Sequence, residues 1–343
     1  NSFQNPIKIL SSTSKSDDLI LTQFEEKIEF FNDRYQVQLP FRSDPKTIAL
    51  PSNFGLCMGR LRSVFNTLSK NPTLLKKYND IIQEQKTLGI IEPVPISSKF
   101  SPPLHYLAHH PVINEIKGKV RIVYDGSAHV GKEPSLNDCL YPGPILIPDL
   151  VGLLLRFRIP KFVITCDIEK AFLQVLVHPN HRDCTRFLWL KNIQLPPSSI
   201  NLQMFRFTRV SFGLTCSPFL LAATIRFHLH INPSPLSDEI ISNIYVDNIL
   251  LSSETETEGV DKAVAAISLF EKAGMPLREF VSNSNEIISK IPENFVLHGP
   301  DQKFLGINWN PLSDRLVFKL ANLPNSPLSK RSILSFVASN YDP

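Results

Sequence analysis

The acidic residues best suited to chemistry lie at the ends of two apolar stretches. The run IYVDNILLSS, residues 244–253, surrounds Asp247 and Asn248 with apolar residues, which predicts a tight hairpin with these two residues at its tip. The run FVITC, residues 162–166, predicts a buried strand that ends at Asp167. If the two strands are neighbours in one sheet, both carboxylates lie at the same edge.

Such a pair of carboxylates would favour a bound cation. Two negative charges about 4 Å apart repel by roughly 4 kcal/mol at an effective dielectric near 20. Mg²⁺ accepts one or two carboxylates and takes its other ligands from phosphates and water, which is the arrangement of two-metal phosphoryl transfer. The alternative is that Asp167 caps a helix, since Ile168, Ala171, Phe172 and Val175 have helical spacing.

Composition places the chain among ordinary globular proteins. It has 343 residues, enough for two or three domains, with 43% hydrophobic and 20% charged residues and a net charge of +4. Five irregularly spaced cysteines indicate a reducing, intracellular compartment and argue against a zinc site. The longest apolar run, about residues 150–155, is too short to span a membrane. The chain begins without methionine and ends at SNYDP, so we expect a piece of a longer protein.

The periodicity predicts an α+β fold with a mainly antiparallel sheet. A helix is predicted from Pro72, with Asn71 as its cap. Three strands follow in IIEPV, LHYLAHHPVI and KVRIVYD, and they fit one antiparallel sheet. His109 and His110 would point to opposite faces of the second strand and could not share a metal ion. Further strands are predicted around KFLGINW and RLVFKL, residues 303–309 and 315–320.

Ten short motifs follow one another over nearly the whole chain. They are RYQVQLPF, RIVYDGSA, SLNDCL, LLLRFR, CDIEKAFLQV, RFLW, SFGLTCSPF, YVDN, KFLGINW and SKRSILSFVASNYDP. In order and spacing this set specifically resembles the reverse transcriptase of BEL/Pao-type long-terminal-repeat retrotransposons.

This resemblance implies a right-hand polymerase made of fingers and palm, with an antiparallel palm sheet packed on helices and most of the thumb absent. Residues 1–85 would form an N-terminal extension with a helical segment, and 86–160 the fingers and the start of the palm. Residues 161–300 would form the palm, with a fingers insertion around 176–212. Residues 301–343 would form a primer-grip hairpin and the start of the thumb or connection.

The resemblance also implies roles for individual residues. Asp167, Asp247 and Asn248 would be catalytic and, with the backbone carbonyl of Ile168, would hold two Mg²⁺ ions, with Mn²⁺ as a possible substitute. Arg121 would contact the triphosphate of the incoming deoxynucleotide. A plain surface arginine is the alternative.

The remaining implied residues surround the nucleotide and the primer. Phe172 would underlie the sugar and exclude a 2′-hydroxyl, although a simple core role is the alternative. Phe212 and Gly213 would form the turn beneath the nucleotide and template base, where glycine permits close backbone approach. The primer grip would consist of Phe304, Leu305 and Gly306.

Two positions depart from the family pattern. The hairpin of the family has two consecutive aspartates where this chain has Asp247 followed by Asn248, and YLAHHPV has Ala108 where the family has proline. The implied function is RNA- and DNA-directed DNA polymerisation within a retrotransposon polyprotein. The alternative is a catalytically weakened or inactive module that binds nucleic acid.

Implied partners are a primed RNA or DNA template, dNTPs, and the protease, ribonuclease H and integrase domains of the polyprotein. The implied location is the cytoplasm, in a virus-like particle, without membrane association.

Overall fold

The computed structural model describes residues 15–94, 103–114, 118–299, 302–317 and 329–340. These residues divide into two compact units. The first unit takes the described residues within 1–146 and 170–227, and the second takes those within 147–169 and 228–343. Each unit is therefore built from two separate stretches of the chain.

Helices are distributed through both units. The α-helices are α1 Lys15–Lys27, α2 Phe54–Leu68, α3 Pro72–Thr87, α4 Leu136–Cys139, α5 Leu150–Arg158, α6 Ser217–Ile231, α7 Pro235–Asn243, α8 Glu256–Glu271, α9 Asn285–Lys290 and α10 Lys330–Ser339. Short 3₁₀ helices are Ala171–Gln174, Pro179–Thr185 and Glu293–Phe295.

The strands are short and mostly paired in small antiparallel sheets. They are β1 Glu29–Phe31, β2 Arg34–Val37, β3 Ile91–Pro93, β4 Ala108–Asn114, β5 Lys119–Asp125, β6 Phe162–Ile168, β7 Leu176–Val177, β8 Arg186–Leu190, β9 Leu202–Phe207, β10 Ile244–Tyr245, β11 Asn248–Ser253, β12 Leu277–Ser282, β13 Gln302–Phe304, β14 Ile307–Asn310 and β15 Arg315–Val317. The predicted α+β class is confirmed.

The second unit is organised around a four-stranded sheet in the order β10-β11-β6-β12, in which all neighbours are antiparallel. Helices α7 and α8 pack against β11, and α9 packs against β12. The apolar residues of β6 and β11 are buried, as their continuous apolar runs predict. A second sheet, β13-β14-β15, is also antiparallel.

The first unit contains three small sheets, β1-β2-β7, β3-β9-β8 and β4-β5. Helix α3 begins as predicted: Pro72 is its first residue, and the Asn71 side chain accepts a hydrogen bond from the backbone N–H of Leu74 at 3.1 Å. Its buried stripe of Leu75, Tyr78 and Ile82 packs the helix inward. Strand β4 directs His109 inward and His110 outward, as predicted.

Two structural predictions were wrong in part. The strands in IIEPV, LHYLAHHPVI and KVRIVYD exist, but β3 pairs with β9 rather than with β4 or β5. The helix predicted after Asp167 is only the 3₁₀ turn Ala171–Gln174, whose cap is Lys170. Asp167 is therefore not a helix cap. Strand β15 confirms the beginning of RLVFKL, and residues 318–320 of that prediction lie outside the described residues.

Candidate active site

The pairing of β6 with β11 brings together the strand-end residues identified in the sequence. Asn248 lies directly opposite Asp167, and the register continues with Ile249 opposite Cys166. The tip of the hairpin is Val246–Asp247 and not Asp247–Asn248, because Asn248 already pairs with Tyr245 as the first residue of β11. The prediction of the tip was thus displaced by one residue, although Asp247 does lie in the turn.

Backbone and side-chain hydrogen bonds fix Asp247 beside the end of β6. The N–H of Ile168 donates to the backbone carbonyl of Asp247 at 3.0 Å. The side-chain amide of Asn248 donates to the Asp247 carboxylate, with Nδ2 2.9 Å from Oδ1. The amide of Asn248 therefore acts as a donor that supports a carboxylate.

Burial raises the pKa of both carboxyl groups, and the charge of Asp247 also acts on Asp167. Burial, followed by the charges of Asp247 and Glu279, raises the pKa of Asp167 to about 7. Burial also raises the pKa of Asp247, while its own backbone N–H and the Asn248 amide oppose that rise. At neutral pH the site thus tends to keep a proton or to attract a cation.

Glu279, which the sequence did not single out, is the second acidic side chain that acts on Asp167, after Asp247. Strand β12 pairs Arg278 with Asp167 and Val281 with Thr165, so the register shifts between them by a β-bulge. Glu279 occupies this bulge with φ of 56°. It lines a cavity of about 210 Å³ together with Asp167, Asn248 and Lys303. The string LREFVS gives no signal of the bulge, because it matches an uninterrupted strand.

The neighbouring cation does not neutralise this cavity. Arg278 lies opposite Asp167 in the sheet, but its guanidinium forms an ion pair with Glu169, at 2.8 Å between Nη1 and Oε1. Its charge lowers the pKa of Asp167 less than burial, Asp247 and Glu279 raise it. Two carboxyl groups, Asp167 and Glu279, line the cavity against the one cation Lys303 in its lining.

The oxygen atoms at this site are of the kinds that bind a hard divalent cation. Carboxylate, amide and backbone carbonyl oxygens are the ligands that Mg²⁺ uses. Within the described part of the chain, however, no three His, Cys, Asp or Glu side chains are grouped closely enough to hold a metal ion. The two aspartates would thus need further ligands from the backbone, Asn248, solvent or substrate.

The predicted primer-grip residues form the β13–β14 hairpin of the same unit. Phe304 lies opposite Ile307, which leaves Leu305 and Gly306 as a two-residue tip with φ of 48° and 89°. Such positive values are typical of a type I′ hairpin turn. Phe304 is buried and stacks on Phe157 of α5 at 4.4 Å between ring centroids. Phe304 therefore anchors the hairpin, while Gly306 at the tip is exposed.

The four predicted nucleotide-binding residues all belong to the first unit. Arg121 on β5 and Phe212 line one cavity of about 560 Å³, which Lys170 also lines. The rings of Phe172 and Phe212 meet edge to face, with centroids 4.7 Å apart. Phe172 is buried, as its alternative core role requires, whereas Phe212 is exposed.

Gly213 is required by its local geometry. Its φ is 94°, and a Cβ atom at this position would lie 2.1 Å from the carbonyl oxygen of Tyr124. Glycine is the residue that tolerates both conditions. The turn is therefore in direct backbone contact with the end of β5.

Asn137, in the motif SLNDCL, holds this turn in place. Its Nδ2 donates to the carbonyl of Gly213 at 3.0 Å and to Ser127 Oγ at 2.9 Å. Its Oδ1 accepts from the N–H of Thr215 at 2.9 Å, and its own N–H donates to Gly126 O at 2.9 Å. Asn137 lies in the short helix α4 and was not among the predicted site residues.

No described helix combines the length and apolar character needed to cross a membrane. No protein-family model matches the chain. Comparison with curated proteins identifies the genome polyprotein of Petunia vein clearing virus, in its Shepherd and Hohn isolates, as a relative. The identity is 26% over 231 residues, which covers 65% of this chain. The chain spans about 9% of the length of these relatives, so the region shown to be similar is a small part of a viral polyprotein.

Proposed function

We propose that the chain is the reverse transcriptase region of a BEL/Pao-type retrotransposon polyprotein and that it extends a primer on RNA or DNA templates. The proposal rests on one observation. The pairing of β6 with β11 sets Asp167 opposite Asn248, and the backbone of Asp247 bonds to Ile168 at 3.0 Å. An antiparallel sheet that carries two half-buried aspartates at one edge suits nucleotidyl transfer.

In this proposal the acidic residues hold the metal ions. Asp167 and Asp247 would bind Mg²⁺ or Mn²⁺, with the Ile168 carbonyl and Asn248 as supporting ligands. When bound, the two ions would activate the primer 3′-hydroxyl and stabilise charge on the departing pyrophosphate. The Asn248 amide donates to Asp247 and so steadies its carboxylate.

The resemblance assigns contacts with the nucleotide to further residues. Arg121 would contact phosphate oxygens through its fork of donors. Phe172 would close the space needed by a 2′-hydroxyl, and its edge-to-face contact with Phe212 would keep its ring in place. Gly213 would keep the turn close to the nucleotide. The Phe304–Gly306 hairpin would steady the primer end.

The polymerase architecture is part of the same proposal. The four-stranded sheet with α7, α8 and α9 would be the palm, and the sheets of residues 86–160 and 176–212 would contribute the fingers. Similarity to a viral genome polyprotein supports a polyprotein origin. Protease, ribonuclease H and integrase domains as partners, and assembly in a cytoplasmic virus-like particle, are proposals that rest on the resemblance.

Primer extension tests the proposed activity. Purified chain would be incubated with a labelled primer on an RNA or DNA template, dNTPs, and Mg²⁺ or Mn²⁺. We expect extension by the wild type and by Asp261→Asn, a control on the exposed face of α8, and none by Asp167→Asn. Equal extension by Asp167→Asn and the control would refute the assigned site.

A second function is favoured by one specific observation. The amide of Asn248 donates to Asp247 where the family pattern has a second aspartate, so the site has one carboxylate fewer. The chain would then bind primed template without extending it. Template binding without metal-dependent extension in the same assay would support this second function.

A further inference from the structure

A network of arginines in the first unit contains more positive than negative charge. Arg206 donates to Glu92 through Nε at 2.7 Å and to Asp183 through Nη1 at 2.7 Å. Arg182 also forms an ion pair with Glu92, at 3.4 Å between Nη1 and Oε2. The buried Arg186 also forms an ion pair with Asp183, at 3.0 Å between Nη2 and Oδ1. These two carboxylates are thus already engaged by three guanidinium groups.

Arg209 lies beside this network without a counter-ion among the described residues. Its backbone pairs with Leu176 of β7 in an isolated bridge. Its Nε and Nη1 atoms are buried and have no hydrogen-bond partner in the described part of the chain. Burial and the positive charges of Arg34 and Arg182 lower the pKa of Arg209 to about 10. Every charged group that acts on this pKa is therefore a cation.

The backbone holds the neighbouring cations near Arg209. Strand β2 begins at Arg34 and pairs in parallel with β7, and Arg34 Nη1 donates to the side chain of Gln174, two residues before β7. Arg182 Nε donates to the carbonyl of Val177 at 3.0 Å. Arg34, Arg182 and Arg209 thus all lie beside β7 or Gln174, which precedes it, and none of the three is fully buried.

We propose that Arg209, with Arg34 and Arg182, forms a binding site for a phosphate group. The guanidinium of Arg209 keeps unmade N–H bonds at Nε and Nη1 among neighbouring cations, and phosphate oxygens are strong acceptors for guanidinium donors. Three neighbouring cations suit a phosphate better than a single carboxylate, because a phosphate presents more acceptor oxygens and up to two charges. This inference goes beyond the proposed function and uses none of its site residues, so either can fail alone.

Anion-dependent stability provides the first test. Thermal unfolding of the metal-free chain would be measured in millimolar inorganic phosphate against chloride of equal ionic strength, for the wild type, Arg209→Gln and Arg62→Gln. Arg62 is an exposed control on α2 with the same change of charge. We expect phosphate to raise the midpoint of the wild type and the control by roughly 2–4 °C, and that of Arg209→Gln by less than half as much.

The same variants distinguish a ligand site from a structural arginine. Without phosphate, Arg209→Gln should be at least as stable as the wild type, since it removes a poorly solvated charge among cations. Destabilisation of Arg209→Gln by the same amount with and without phosphate would overturn the proposal. If Arg209→Gln does not fold, Arg34→Gln and Arg209→Lys provide the comparison, and both should show a reduced phosphate effect.

A second set of measurements identifies the source of the phosphate. Binding of a labelled single-stranded oligonucleotide would be titrated at several salt concentrations without metal. If the natural ligand is a nucleic-acid backbone, the slope of log K against log salt should fall in magnitude by about 1 in Arg209→Gln and remain unchanged in Arg62→Gln. A phosphate effect without this change of slope identifies a small phosphate compound. Absence of both effects in the wild type refutes the site.

Discussion

Asp167 is the residue whose protonation most directly affects the candidate site. Its pKa rises from 3.8 to about 7 in the folded chain because it is partly buried and lies near Asp247 and Glu279. Between pH 3.8 and about pH 7, Asp167 therefore binds more protons in the folded state than in the unfolded state. The free energy of unfolding should therefore decrease as pH rises from about 4 to about 7 in the absence of metal.

Replacement of Asp167 by Asn should remove this pH dependence. We expect Asp167→Asn to be more stable than the wild type at pH 7 in EDTA, with the difference vanishing near pH 4. Glu279→Gln should shift the midpoint of the dependence to lower pH, because one of the charges that raise the Asp167 pKa is lost. Urea unfolding at a series of pH values would measure both effects. The prediction would be wrong if the free energy of unfolding of the wild type, relative to Asp167→Asn, increased between about pH 4 and pH 7.

Asn248 determines how many carboxylates the hairpin offers to a cation. In Asn248→Asp the amide that donates to Asp247 is replaced by a charge opposite Asp167. We expect Mn²⁺ to bind at least roughly tenfold more tightly, or about 1.4 kcal/mol, because a hard cation gains a carboxylate ligand. Electron paramagnetic resonance titration of Mn²⁺ measures this without any turnover. Asn66→Asp, on the exposed face of α2, is the control, and equal Mn²⁺ affinity in both variants would remove Asn248 from the site.

At the scale of elements, the turn at Phe212–Gly213 depends on the missing side chain of Gly213. Gly213→Ala would place a methyl group 2.1 Å from Tyr124 O at φ of 94°, so we expect a loss of well over about 1 kcal/mol in the free energy of unfolding. The control Gly59→Ala lies within α2 with no atom within 4 Å of the new Cβ, and should gain about 0.5–1 kcal/mol. Chemical denaturation of both variants tests the contrast, which would fail if Gly213→Ala were neutral.

The strands around the candidate site were predictable from sequence, whereas the hairpin tip and the β-bulge were not. Apolar runs beside Asp167 and Asp247 predicted two buried strands, and the structure contains both. Whether they are neighbours could not be predicted from either run, and the structure pairs them in one sheet. The hairpin tip was displaced by one residue because Val246, a β-branched residue with φ of 60°, occupies a turn position that such residues rarely adopt. The approach of Glu279 depends on a β-bulge, and a bulge leaves no trace in the alternation of residue types.

At the scale of the whole molecule, the reactivity of the cysteines can report the unfolding of each unit. All five cysteines are free and buried. Burial raises the pKa of Cys57 and Cys216 to about 12 and raises those of Cys139, Cys166 and Cys184 as well. A buried thiol that is not ionised reacts slowly with alkylating reagents. Cys166 belongs to the second unit and the other four to the first.

We expect native chain to incorporate almost no iodoacetamide at pH 8 in the time that denatured chain incorporates five equivalents. Labelling at increasing urea concentrations, followed by peptide mass spectrometry, would then report the opening of each unit. Gly213→Ala should lower the urea concentration at which Cys57, Cys139, Cys184 and Cys216 react, because its strain acts on the turn of the first unit. Asp167→Asn should raise the concentration at which Cys166 reacts in EDTA at neutral pH. Rapid labelling of the native wild type would contradict the burial of these thiols, since reaction requires that a buried sulfur first be exposed.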